Sequence, residues 1–297
     1  MKNSLVVEVT RGASIESVHL VDIALVDNTG NLVEGWGESS RPTLPRSALK
    51  PIQATPLITE GLADSESLTA QQLAMACSSH NGEARHVEVV DRWLERLGFS
   101  HNVLECGAHI PSNPQAARDL ALSGIQPDSR HNNCSGKHTG FVCLSKHFDL
   151  DVSGYISPDH PVMKRFVTPA IEDFCRIALS DQVPGVDGCG VPVWSIPLSH
   201  LAGGWSQLRT RGSGRRLLQA MVDEPLLVAD TDRACTRLME AASGDAAVKT
   251  GAEGVFCGVD LREGFAFAVK ARDGQARAAE VAAEWLLDRL GCIEFAT

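Results

Sequence analysis

Gly254-Val255-Phe256-Cys257-Gly258-Val259-Asp260 and, three residues on, Gly264-Phe265-Ala266-Phe267-Ala268-Val269-Lys270-Ala271 read as two short β-strands joined by a tight connection. The run that follows, Ala276–Leu290, sets Ala279, Val281, Ala282, Trp285, Leu286 and Leu290 at helical spacing, so the strand pair ends in an amphipathic helix. The other end of the chain has the same character. Ser4–Thr10, Val18–Val26 and Leu32–Gly37 are rich in β-formers, and Asp27-Asn28-Thr29-Gly30-Asn31 between the last two is a hairpin turn. Between these ends the pattern is helical. Helices are expected at Ser47–Glu60 (limited by Pro51 and Pro56), Leu68–Cys77, Val87–Leu97, Ala116–Leu122, Ser135–Phe148 and His160–Leu179. Pro184–Pro192 carries too many glycines and prolines to be regular. Strands at both ends with helices between predict one α/β (α+β) unit over residues 1–297. Its mainly antiparallel sheet takes in both termini, with the last helix on one face and the middle helices, from about 47 to 250, on the other.

Composition narrows the function. With 43% hydrophobic and 22% charged residues the chain reads as an ordinary globular protein. At 297 residues it buries roughly three quarters of its unfolded surface and needs no disulfide staples. A formal net charge of −10 argues against nucleic acid and anionic membrane as partners. Met1-Lys2-Asn3-Ser4-Leu5-Val6-Val7-Glu8 meets a carboxylate before an apolar core develops, so no secretory signal is expected. No stretch approaches the roughly 18 apolar residues of a membrane span. A cytoplasmic, reduced protein follows, its nine cysteines free, buried or on metal. Cys77, Cys143, Cys175, Cys235 and Cys292 read as core residues.

Five segments carry side chains suited to chemistry. In Arg46-Ser47-Ala48-Leu49-Lys50-Pro51, a helix would place Ser47 and Lys50 on one face, and a desolvated lysine is a base for a serine nucleophile. Ser79 and His80 lie where a helix gives way to a turn, as capping residues or as a proton relay and substrate-carboxylate ligand. In Asn132-Asn133-Cys134-Ser135-Gly136-Lys137-His138, Cys134 and Lys137 again stand three apart, and Gly136 in a helix start signals a close approach. The segment lacks the spacing of a phosphate loop. Cys189, in the tight loop Asp187-Gly188-Cys189-Gly190, joins Cys134 as a potential zinc ligand with a nearby His or Lys, although no Cys-x-x-Cys pair exists. Lys270, near the end of its strand, is either an edge gatekeeper or functional.

Seven segments in order, Arg11-Gly12 with Glu16–His19, Arg46–Pro51, Ser79–Glu83, Cys106–Pro111, Asn132–His138, Asp187–Gly190 and Gly251-Ala252-Glu253-Gly254, resemble the Rhizobium etli-type L-asparaginases. The resemblance spans about Val7 to Lys270. It implies a β-lactamase-like three-layer fold, a homodimer, and hydrolysis of L-asparagine to L-aspartate and ammonia. It implies two serine–lysine tandems, Ser47 with Lys50 and Ser79 with Lys270, the last placed by strand context alone. It also implies a zinc ion on Cys134, Lys137 and Cys189. Asp187, His138 and Cys257 match residues lining that family's pocket, and His80 and Glu253 are taken with them as substrate-binding candidates.

The expected chemistry is acyl-enzyme hydrolysis, with Ser47 or Ser79 as nucleophile and Ser47 favoured because its lysine is fixed by the same helix. Two rivals stand beside it. One is another serine–lysine acyl hydrolase, a glutaminase or penicillin-recognising enzyme, although Lys249-Thr250-Gly251 is read as a coincidental match to the penicillin-binding triplet. The other is a non-catalytic, zinc-stabilised amino-acid-binding protein.

Overall fold

The computed structural model describes residues 2–294. Its organising element is the 13-residue strand Ser14–Val26. Along one edge this strand pairs first with Leu5–Arg11 and then with Leu32–Trp36. Along the other it pairs with Ala266–Ala271, which continues to Val255–Asp260 and then Ala246–Gly251. Every pairing in this sheet is antiparallel. N- and C-terminal strands thus share one sheet, as expected. Val255–Asp260 is buried along its whole length because helices cover both faces.

The helix Ala276–Arg289 packs on one face against Val255–Asp260 and Ala266–Ala271, and Trp285 meets Trp36 edge-on at 5.3 Å. The helix Leu198–Thr210 packs on the other face across Ser14–Val26 and Ala266–Ala271. The expected three-layer α/β arrangement is present. Among the described residues no helix is long and apolar enough to cross a membrane. All nine cysteines are free and buried.

The middle region departs from expectation in places with physical causes. Ser47–Glu60 is not one helix: a 3₁₀ turn at Arg46–Leu49 leads into the short helices Lys50–Gln53 and Pro56–Thr59. Arg46 holds φ +51°, and Pro51 and Pro56 each sit at a helix start, so an α-helix cannot propagate through the segment. The expected helix His160–Leu179 is a π-helical turn, Met163–Val167, followed by Thr168–Cys175. Pro169 lacks the N–H that the α-ladder needs there. Leu198–Thr210 and Gly212–Asp223 are helices beyond those expected. The first is buried on most sides, which erases its apolar periodicity, and Gly204 lets it approach Cys175 and Ile52.

Candidate active site

The 3₁₀ turn carrying Ser47 lies on the sheet beside Ala246–Gly251. A Cβ on Gly251 would stand 2.5 Å from the Pro45 carbonyl and 3.3 Å from the Ala48 amide, so only glycine permits this contact. Trp205 Nε1 donates to the Ala48 carbonyl at 3.1 Å and pins the turn from the helical side. Arg46, in the left-handed region, reaches Asp187 Oδ1 with Nε at 2.7 Å. A non-glycine residue held there is strained backbone, and it sits immediately before Ser47. Ser47 is half-buried, and among the described residues nothing bonds its Oγ.

Lys50 is fully buried. Its Nζ donates to the Ser78 carbonyl, to Ser79 Oγ at 2.9 Å and to the Asn133 carbonyl at 3.2 Å. These acceptors match the three donors of a lysine head group. The expected contact partner of Lys50 was Ser47; the hydrogen bond instead runs to Ser79. Two carbonyls beside Ser79 draw the long side chain inward, and the turn at Ser47 is not α-helical. Ser79 itself is 5% exposed and held by its amide on the Val228 carbonyl at 2.8 Å.

Lys270 is not brought to Ser79. It stands opposite Asp22 and Val255 in the ladder, and its Nζ donates to the Glu253 carbonyl. Its strand lies two ladders away from Ala246–Gly251, the strand beside the Ser47 turn. The lysine on which the Lys50 charge acts is Lys249, whose Nζ donates to the Thr250 carbonyl at 3.2 Å. It is fully buried on the same sheet face as Gly251, and burial, aided by the Lys50 and Arg233 charges, pulls its amine down to about 7. Lys249-Thr250-Gly251 is the sequence signal that marks this buried lysine. The Ser47 turn lies against the strand carrying Lys249-Thr250-Gly251, and Lys50 links that turn to Ser79.

Cys134, Lys137 and Cys189 converge. Lys137 Nζ lies 3.1 Å from Cys189 Sγ, and all three residues are buried. A hydrogen bond from Cys134 lowers the Cys189 thiol to about 5, with Lys137 adding to the effect against burial. The same bond and burial push Cys134 up to about 12. Burial opposes a charged Lys137, but the two sulfurs raise it to about 12. Local sequence builds this cluster. Asn132 Oδ1 accepts from the Cys134 amide at 2.9 Å, while its Nδ2 holds the Cys106 carbonyl at 2.8 Å. Gly136 lets the helix Ser135–His147 touch Ala70–Ala76, since a Cβ would lie 2.2 Å from the Met75 carbonyl.

The other candidates divide. Asp187 stays below the usual carboxylate range: burial works against it, but the Lys137 charge and the Arg46 hydrogen bond prevail. His138 is buried with Nδ1 on Tyr155 Oη at 2.9 Å, Nε2 unpartnered, and burial draws it down to about 3. His80 has no free nitrogen for substrate. Its Nδ1 accepts from the Gly82 amide at 3.1 Å, so Nε2 carries the proton and donates to Ser135 Oγ at 2.9 Å. Cys257 lies opposite Lys249 in the ladder, fully buried, its thiol pushed well up by burial. Glu253 is exposed in the hairpin turn that follows Gly251.

Residues 7–297 match the sequence profile of a family described as L-asparaginase II. No curated protein matches the chain. Among solved structures it is similar to a β-lactamase, Mb2281c, from Mycobacterium bovis. That likeness has 14% identity and a TM-score of 0.46, over 91% of this chain and 94% of that one. It is similar to Mglu in its tris and glutamate form, at 13% identity and a TM-score of 0.43, over 93% of this chain and 60% of that one. It is also similar to a mutant of the simvastatin synthase LovD from Aspergillus terreus, at 12% identity and a TM-score of 0.36, over 84% and 86%.

Proposed function

The chain belongs to the L-asparaginase II family, and from that membership and the Lys50–Ser79 contact we propose that it hydrolyses L-asparagine through a serine–lysine acyl-enzyme. Ser47 is the nucleophile. It is the more accessible of the two serines, whereas Ser79 is buried and engaged by Lys50. Ser47 Oγ attacks the carboxamide carbon, and its proton passes into the Lys50–Ser79–Lys249 group. Lys249, lowered to about 7, supplies the amine that is neutral near physiological pH. The same group protonates the departing nitrogen as the C–N bond breaks. Water then adds to the ester, and its cleavage returns a proton to Ser47 Oγ. Arg46 and Asp187, paired immediately before Ser47, suit the α-carboxylate and α-ammonium of an amino-acid substrate.

Cys134, Lys137 and Cys189 fit a zinc ion as in the Rhizobium etli-type enzymes. Cys189 Sγ meets both the Lys137 amine and the Cys134 thiol, and all three residues are buried. When bound, zinc would take the place of the thiol and amine protons and fix the pocket wall beside Asp187. A homodimer is part of this reading, as the resemblance to the Rhizobium etli-type enzymes implies. Sedimentation velocity reads the dimer directly.

Ammonia release from L-asparagine by the wild type, by Ser47→Ala and by Ser79→Ala tests the proposal. Activity that collapses in Ser47→Ala supports it; full activity in that variant transfers the nucleophile to Ser79. The placement of Lys249-Thr250-Gly251 beside the Ser47 turn favours a second reading, a penicillin-recognising acyl hydrolase. Covalent labelling by a fluorescent penicillin, without ammonia release, would select it.

A further inference from the structure

Glu83, His86 and Asp230 form a second cluster, outside the acyl-transfer group. Glu83 precedes the helix Ala84–Leu97, His86 lies in its first turn, and Asp230 sits in the loop after the short helix Pro225–Val228. One ligand-capable atom from each lies within 4.8 Å of the others. His86 and Asp230 are both fully buried. The His86 Nε2–H bonds the Leu226 carbonyl at 3.0 Å, which leaves Nδ1 as the bare lone pair. That Nδ1 has no partner, and neither has Asp230 Oδ2.

Such a pattern needs an explanation, because buried polar atoms are almost always satisfied. The two carboxylates repel one another at this separation. A single proton between Glu83 and Asp230 would relieve that repulsion but would leave His86 Nδ1 bare. A divalent cation satisfies all three atoms together. We propose that Glu83, His86 and Asp230 bind a divalent transition metal, a site separate from the thiol–lysine cluster.

The surrounding groups are those of a metal site. The Leu226 carbonyl fixes the imidazole tautomer from behind, as the outer partner of a metal-bound histidine does. Glu83 is oriented by Asn113 Nδ2 at 2.7 Å and by Arg85 Nε at 2.9 Å, each on a different oxygen, leaving lone pairs free. One imidazole with two carboxylates suits zinc or manganese better than calcium or magnesium. Around zinc such atoms stand about 3.3 Å apart, so modest side-chain rotation closes the site. The N-terminus of Ala84–Leu97 and the Arg85 charge oppose a cation, and two carboxylates outweigh them.

The location gives the site a consequence. The Val228 carbonyl that holds the Ser79 amide lies two residues before Asp230, and Arg233, three residues after it, bonds Asn81. A cation clamping Asp230 to Glu83 and His86 braces the loop against the Ser79–Glu83 segment.

The test uses full-length protein carrying Cys189→Ser, which removes a thiol of the other cluster, with Cys134→Ser as a second background. After chelator treatment, each is dialysed against Zn²⁺ and its metal content measured. About one equivalent is expected to remain in both, and added Asp230→Asn or Glu83→Gln should weaken binding at least tenfold while circular dichroism stays unchanged. Added Co²⁺ should give ligand-field bands without thiolate charge transfer. No retained Zn²⁺ in the Cys189→Ser and Cys134→Ser backgrounds, or retention indifferent to Asp230→Asn and Glu83→Gln, overturns the site and leaves a proton or water between these groups.

Discussion

Lys50 Nζ donates to Ser79 Oγ at 2.9 Å across a sequence separation of 29 residues, and the same head group holds the carbonyls of Ser78 and Asn133. One side chain therefore ties the Ser47 turn, the Ser79 segment and the start of the Cys134–Lys137 helix into a single unit. Replacing it perturbs chemistry and packing together.

Lys50→Met is expected to lower kcat by roughly 10²–10⁴-fold. It also strands buried acceptors, each costing about 1–3 kcal/mol. Steady-state ammonia release beside urea denaturation separates the two losses. A variant with wild-type kcat would remove Lys50 from the relay.

Under the proposed mechanism, Lys249 should give the activity a rising limb. Its neutral form grows as pH passes through about 7, so kcat/KM should climb there, and Lys249→Met should abolish that limb. Stability follows the same sign. Unfolded lysine titrates near 10.4, so between about 7 and 10.4 the unfolded chain holds the extra proton. Stability therefore rises with pH across that window, and the burden of burying the charged form is complete below pH 7. Lys249→Met should flatten this slope in denaturant titrations.

Asp22 is a buried carboxylate held by Arg41, Arg272, Ser4 Oγ and the Glu38 amide, and these contacts overcome burial to lower it to about 2. Its contribution is complete above the unfolded value near 3.9 and is lost as pH falls toward about 2. Asp22→Asn should cost about 2–4 kcal/mol at neutral pH, because two arginines lose their shared anion. Urea midpoints at pH 7 and pH 3 read both effects: the gap between wild type and variant should narrow in acid.

Gly136→Ala would drive a methyl to 2.2 Å from the Met75 carbonyl, so the helices Ser135–His147 and Ala70–Ala76 must separate. A loss of roughly 1–3 kcal/mol is expected. Gly188→Ala meets nothing within 4 Å and serves as the control. Equal melting temperatures for the two variants would remove this contact as a constraint.

Cys189→Ser removes the acidic thiol from Lys137. If the cluster positions substrate, KM should rise with kcat retained, and chelation of the wild type should do the same. Equal falls in kcat and kcat/KM would assign the cluster to the chemical step.

Sequence by itself determined the sheet and much of the site's inventory. The short, turn-bounded apolar runs Val255–Asp260 and Ala266–Ala271 are local, and so is the pairing of Cys134 with Lys137 at helical spacing, which is why both are legible. Gly136 announced a close approach, and Met75 proved to be the neighbour. Tertiary structure alone decided which groups each lysine meets. Lys50 bypasses Ser47 because Arg46 and the prolines prevent an α-helix there and because two distant carbonyls need its protons. Lys249, and not Lys270, lies on the strand beside the Ser47 turn because strand order, a long-range property, sets Ala246–Gly251 against that turn and carries Lys270 away toward Glu253. Burial then shifts the Lys249 amine, and burial depends on every element packed around it, so no local window of sequence contains it.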